Sequence, residues 1–91
     1  MFRLVTTVPR MDTPEALARR VAHVVKTAAE EAGISQRKLA EVTGIPLVTL
    51  GRRLNGGKSF EIRELAAIGE ALDLSLTDIA LMAERAPSPT A

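Results

Sequence analysis

Leu17, Val21, Val24 and Ala28 recur at spacings of four, three and four, the rhythm of one apolar face of an α-helix. The segment opens at Asp12-Thr13-Pro14-Glu15, which offers Asp12 or Thr13 as a cap, proline at the first helical position and an acid in the first turn. Gly33 stops it, so a helix is predicted to about Ala32. Ser35 caps a second, short helix with Leu39, Ala40 and Val42 as its apolar positions, and Gly44 supplies the left-handed conformation that ends it. After the Ile45-Pro46 break, LVTLGRRLN sets Leu50 and Leu54 on one side and turns Val48, Gly51 and Arg52 elsewhere, and Asn55-Gly56-Gly57 closes it.

A fourth helix is predicted from about Phe60 to Leu72, on the face of Ile62, Leu65, Ile68 and Leu72, with Phe60 and later Met82 as core. Ser75-Leu76-Thr77-Asp78 has the form of a capping box and opens a fifth, in which Ile79, Met82 and Ala83 face inward. The pattern predicts an all-α fold of five short helices with tight connections. Residues 1–11 read as an N-terminal arm, because a short strand over Phe2 to Val8 has no second strand to pair with. Residues 12–85 read as the domain, and 86–91, rich in Pro and Ser, as a disordered tail. Met11 directly precedes the first helix signal, so a start there removes the arm without touching the core.

Composition narrows the chemistry. The chain has 91 residues, 46% of them apolar and 25% charged, with no cysteine and one histidine. A domain this small buries roughly 60–65% of its unfolded surface, which leaves little room for an enclosed polar site. Without cysteine there are no disulfides, thiolate nucleophiles or cysteine zinc sites, and His23 has no second imidazole to join it. Glu30 and Glu31 point about 100° apart on their helix and read as solvated charges. No nucleotide loop, serine triad or metal spacing is present in the sequence. No enzyme activity, metal or cofactor is therefore expected. The first ten residues lack the apolar run of a secretory signal, and no stretch approaches about 20 apolar residues, so a cytoplasmic protein with no membrane partner is expected.

Net charge is only +1, but it is polarised. Residues 34–63 carry Arg37, Lys38, Arg52, Arg53, Lys58 and Arg63 against Glu41 and Glu61, for +4; residues 64–91 carry Arg85 against Glu64, Glu70, Asp73, Asp78 and Glu84, for −4. A basic centre with an acidic far end is a polyanion footprint, although a solvated face gives the same run.

The segment Ser35 to Gly57, SQRKLAEVTGIPLVTLGRRLNGG, resembles the helix-turn-helix of the Cro and phage lambda repressor-like family, also called the XRE family. Gln36, Leu39, Ala40, Gly44, Ile45, Leu50, Asn55 and Gly56 carry the resemblance. Leu65, Ile68, Ala71, Leu72 and Leu74 continue it as the family's fourth helix and SLTDI as the start of its fifth, so that it spans Ala32 to Met82. The resemblance implies a compact five-helix lambda repressor-like bundle with the helix-turn-helix as helices 2 and 3. It also implies sequence-specific binding to a double-stranded DNA operator by a transcription regulator, of the phage repressor or Cro kind; a homodimer on DNA and no small-molecule cofactor are expected beside it. An antitoxin-type protein-interaction module of the same fold is the other reading.

The residue types fit that geometry on physical grounds. Helices crossing at about 90–120° through a short turn need a small residue at the approach, Ala40, and one tolerant of left-handed geometry, Gly44. Leu39, Ile45, Leu50 and Leu54 then wedge the pair apart and leave one face of the second helix bare. A helix about 10–12 Å across matches a major groove about 12 Å wide.

On that bare face Leu47, Val48, Thr49 and Arg52 are the expected base contacts, Arg52 to the guanine O6 and N7 and Val48 and Thr49 to thymine methyls, with Leu47 open between the DNA face and the bundle. Gln36, Arg37, Lys38, Arg53, Asn55, Gly57, Lys58 and Ser59 are the expected phosphate contacts, with Gln36 at a helix start and residues 55–59 forming a basic loop around the glycine amides. The chain departs from the family pattern in four ways. Pro46-Leu47-Val48-Thr49 stands where a polar pair or triplet is frequent, Gly51 replaces a polar residue, Gly69 stands where alanine is usual, and Arg53-Leu54 inverts an apolar-then-glutamate order, which frees Arg53 for a phosphate. Ile79, Leu81 and Met82 near the end of the chain motivate the dimer expectation.

Overall fold

Thr13 caps the first helix in the computed structural model, which describes residues 13–86. Its hydroxyl oxygen accepts the Ala16 amide at 3.0 Å, and Pro14, with no N–H to leave unpaired, begins α1 (Pro14–Glu31). Gly33, at φ 71°, turns the chain, and the Ile34 amide donates back to the Ala29 carbonyl at 2.9 Å. Ser35 then caps α2 (Gln36–Thr43) through the Lys38 amide at 3.1 Å. α3 (Leu47–Leu54) and α4 (Ile62–Leu72) follow. The Ser75 and Asp78 side chains each take the other's backbone amide at 2.9 Å, closing a capping box that starts α5 (Leu76–Arg85).

The five helices surround one core. Val24, Val25, Leu39, Ile45, Leu50, Leu65, Ile68 and Ile79 are its large members, with Leu17, Phe60 and Leu72 packed around them. α1 packs mainly against α5 and also touches α3 and α4, while α2 packs against α3 and α4. Leu39 and Leu50, both fully buried, are the points where the two short central helices lock into the bundle.

The predicted faces are adjusted in four places. On α1, Ala22, Val25 and Ala29 share the interior with Val24, and Val21 and Ala28 are only half-buried, because α5 and α3 approach α1 from two sides and widen its inner stripe. Val42 is 53% exposed: two residues past Ala40, at about 100° per residue, it turns away from the α3 and α4 contacts. Ile62, the first residue of α4, is 65% exposed because it precedes the turn that meets the core. Met82 is 41% exposed, since Ile79 and Ala83 fill the α5 contact and leave it on the rim.

Arg20 was not expected inside, yet it is buried on α1 and donates from Nε to the Ala83 carbonyl at 2.8 Å. That carbonyl lies in the last turn of α5, where free acceptors and the helix dipole both favour a cation. The arm and the tail from Pro87 lie outside the described residues.

Candidate nucleic-acid interface

Gly44 sits at φ 78° and ends α2, its amide bonded to the Ala40 carbonyl at 2.9 Å. Ile45 then drops into the core, and Pro46 leads into α3. Thr43 braces this turn in a way the pattern did not reveal. Its hydroxyl donates to the Leu39 carbonyl at 2.6 Å and accepts the Ile45 amide at 3.3 Å, so one side chain stitches the end of α2 to the residue after the glycine. With Leu39, Ile45 and Leu50 buried and Leu54 packed against the core, the angle between α2 and α3 is set from inside.

The outer face of α3 carries Val48, 68% exposed, and Arg52, also exposed, with Thr49 half-buried between them. Leu47 is half-buried and leans on the core, so its side chain is shared between the face and the bundle. Val48 and Arg52 lie four residues apart, on the same side of the helix.

Gln36, Arg37 and Lys38 are exposed at the beginning of α2. Lys38 stands 3.6 Å from Glu41, both well exposed, a contact too hydrated to hold the ammonium in place. A methyl group built on Gly51 would come within 3.1 Å of Gln36 Nε2, so the glycine in mid-α3 is where the amide of Gln36 lies against the second helix.

The loop after α3 differs from expectation in one respect. The amides of Gly56 and Gly57 donate to the Arg53 and Arg52 carbonyls at 3.1 and 3.0 Å, so these two N–H groups finish the helix and do not present themselves as phosphate donors. The expected Gly57 amide contact is corrected accordingly. The side chains of Asn55, Lys58 and Ser59 remain exposed beside them.

Arg53 is the larger correction. It is 9% exposed, and its Nε and Nη2 meet Glu64 Oε1 and Oε2 at 2.9 and 3.1 Å, a two-pronged pair that spends the guanidinium inside the fold. Glu64 also accepts the Glu61 amide at 2.9 Å, at the start of α4. The Arg53 hydrogen bond holds the Glu64 carboxyl below the usual carboxylate range; burial opposes that shift, and the Glu61 amide adds to it. Eleven residues separate the partners, and no local pattern links them. Arg20 had a readable signal, since it lies four before Val24 on the inner stripe.

Among the described residues no group of His, Cys, Asp and Glu could hold a metal ion, and no helix is long and apolar enough to cross a membrane.

The sequence matches the family model described as Helix-turn-helix over residues 25–79, more than half of the chain and the whole of α2 to α4. The fold is similar to the crystal structure of the clp gene regulator ClgR from Corynebacterium glutamicum. The TM-score is 0.71 at 24% sequence identity, and the likeness covers 75% of this chain and 72% of that one. No curated protein sequence matches the chain.

Proposed function

The chain belongs to the XRE-type helix-turn-helix family, and from that premise we propose that it regulates transcription by binding double-stranded DNA sequence-specifically, in the manner of a phage repressor or Cro. The observation that carries the reading is the outer face of α3. Val48 and Arg52 stand free there while Leu50 anchors the opposite side, and exposed polar groups flank it at both ends.

In this reading α3 enters the major groove. Arg52 reads guanine through its planar fork, and Val48 and Thr49 contact thymine methyls, with Leu47 at the edge of the contact. Gln36, Arg37 and Lys38 on one side and Asn55, Lys58 and Ser59 on the other hold the phosphates and set the register. Two copies bind a two-fold site, with Leu81 and Met82, 43% and 41% exposed on α5, as the apolar surface that joins them. The protein acts in the cytoplasm.

Selection of bound sequences from a random DNA pool tests the reading. Enrichment of a palindrome with half-sites about one helical turn apart supports a dimeric regulator. A single half-site supports a monomer on DNA and removes the dimer. No enrichment overturns sequence-specific binding and favours the antitoxin-type interaction module.

A further inference from the structure

Arg19, His23 and Lys26 follow one another on α1 at spacings of four and three, and all three are exposed on one side of that helix. They lie outside both the core and the helix-turn-helix. Their side borders a cleft of about 280 Å³ whose far wall is Leu54, Asn55 and Gly56, the end of α3 and the start of the loop to α4. A methyl group built on Gly56 would stand 3.5 Å from Arg19 Cγ and 3.9 Å from Cδ, so the Arg19 stem lies over that glycine. A smaller cleft of about 140 Å³ shares Lys26 and Leu54 with the first and reaches Ser35 and Gln36 at the start of α2. Lys26 thus stands between the two groups of residues assigned to phosphate.

No carboxylate lines the larger cleft, and neither Arg19 nor Lys26 forms an ion pair among the described residues. Glu30, one turn on from Lys26, lines the smaller cleft and not the larger, so the larger keeps an excess of positive charge beside its concave wall, which concentrates positive potential there. The row extends along α1 for about 10 Å, the shape of a contact to an extended polyanion and not of a pocket for one small anion.

We propose that this side of α1 is a third contact to the DNA phosphate backbone, with Arg19 and Lys26 each neutralising a phosphate next to the Asn55–Ser59 loop. The proposal rests on the DNA-binding reading above. It assigns to α1 a direct part in affinity and none in reading bases.

The test measures binding of the full chain to a fluorescent mixed-sequence DNA duplex by anisotropy across a salt series, so no operator is needed. Each lost phosphate contact on duplex DNA makes the slope of log affinity against log salt shallower by about 0.9, so Arg19→Gln with Lys26→Gln is expected to flatten it by about 1.8. Arg19→Lys with Lys26→Arg is expected to keep the wild-type slope. Both pairs should melt at the wild-type temperature, since the side chains are exposed. A slope unchanged in the glutamine pair, with the wild type binding normally, overturns the proposal. So does an equal loss in the charge-preserving pair, which would make the role one of shape. A wild-type chain that binds no duplex overturns the DNA-binding reading itself, and the proposal with it.

Discussion

Arg53 and Glu64 face each other through two hydrogen bonds, Nε to Oε1 at 2.9 Å and Nη2 to Oε2 at 3.1 Å. The arginine lies in the last turn of α3 and the glutamate in the first turn of α4, so each charge also suits the helix end it occupies. The pair fixes the direction in which the chain leaves α3. One of the six cations of the basic central segment is therefore structural, and the charge available to a polyanion is smaller than the sequence total.

Glu64→Gln is expected to lower the melting temperature by several degrees at neutral pH, because it takes the hydrogen-bonded countercharge from the Arg53 guanidinium and leaves only Glu61, 4.0 Å away and more exposed. The acid limb supplies a separate signature. Glu64 is held below its ordinary range in the folded state, so its contribution is complete above the unfolded value of about 4.3 and is lost as pH falls through the folded value. Thermal melts from pH 6 down to pH 2.5 should show a shallower acid decline in Glu64→Gln than in the wild type. Parallel declines would remove the pair from the account of acid stability.

Gly69 explains itself once Leu74 is in view. A methyl group built on Gly69 would overlap the Leu74 carbonyl oxygen, and that segment cannot retreat freely because the Leu74 amide donates to the Gly69 carbonyl at 2.8 Å. Gly69→Ala, which in an open helix interior gains up to about 1 kcal/mol, is expected to lose about 1–3 kcal/mol here. Asp73, at φ 61°, makes the same turn from the other side. Asp73→Gly should gain about 0.5 kcal/mol, the left-handed penalty of about 1–2 kcal/mol less the chain entropy of glycine. Urea denaturation of the two variants checks both signs.

The elements were legible because each is punctuated by local chemistry: Thr13 and Pro14, Ser35 and Gly44, Ser75 and Asp78 carry their signals within a turn of the helix end they mark. The helix-turn-helix was legible for the same reason, since Gln36, Gly44, Leu50 and Asn55 stand at fixed offsets along one segment. What escaped depends on partners distant in the chain. Arg53 looked free because Glu64 lies beyond the loop, the carbonyl that holds Arg20 inside belongs to Ala83 on the last helix, and Gly69 looked like a departure because its constraint is the backbone of Leu74. Val42 and Met82 show a smaller limit, in which periodicity marks an apolar side chain but the neighbouring helices decide whether it lies at the centre or the rim of the contact.

Gly51 separates the fold from the proposed phosphate contact of Gln36. A methyl group at Gly51 meets only the far end of the Gln36 side chain, at 3.1 Å, and that end can swing aside. Alanine exceeds glycine by about 0.8–1.0 kcal/mol in helix propensity, so Gly51→Ala should melt no lower than the wild type. If Gln36 holds a phosphate from its present position, the same variant should bind all DNA sequences more weakly, with the selected motif unchanged. Equal affinity in the two proteins would release Gln36 from that role.

Arg52 and Val48 share the exposed side of α3, and the proposed base reading is divided between them. An arginine that meets guanine through both O6 and N7 discriminates by about 1–3 kcal/mol, so Arg52→Ala should lose preference at one or two base pairs of each half-site. Non-specific affinity should fall much less, since Lys58 and the residues at the start of α2 are untouched. Arg52→Lys keeps the charge and loses the planar fork, and it should relax the guanine preference while retaining most of the salt slope. Val48→Ala removes methyl contact alone and should weaken preference at a thymine without changing the salt slope. Sequence selection repeated on the three variants distinguishes these outcomes. A motif unchanged by Arg52→Ala, with every sequence bound more weakly, would make Arg52 a phosphate contact, and specificity would then rest on Val48, Thr49 and the shape of the DNA.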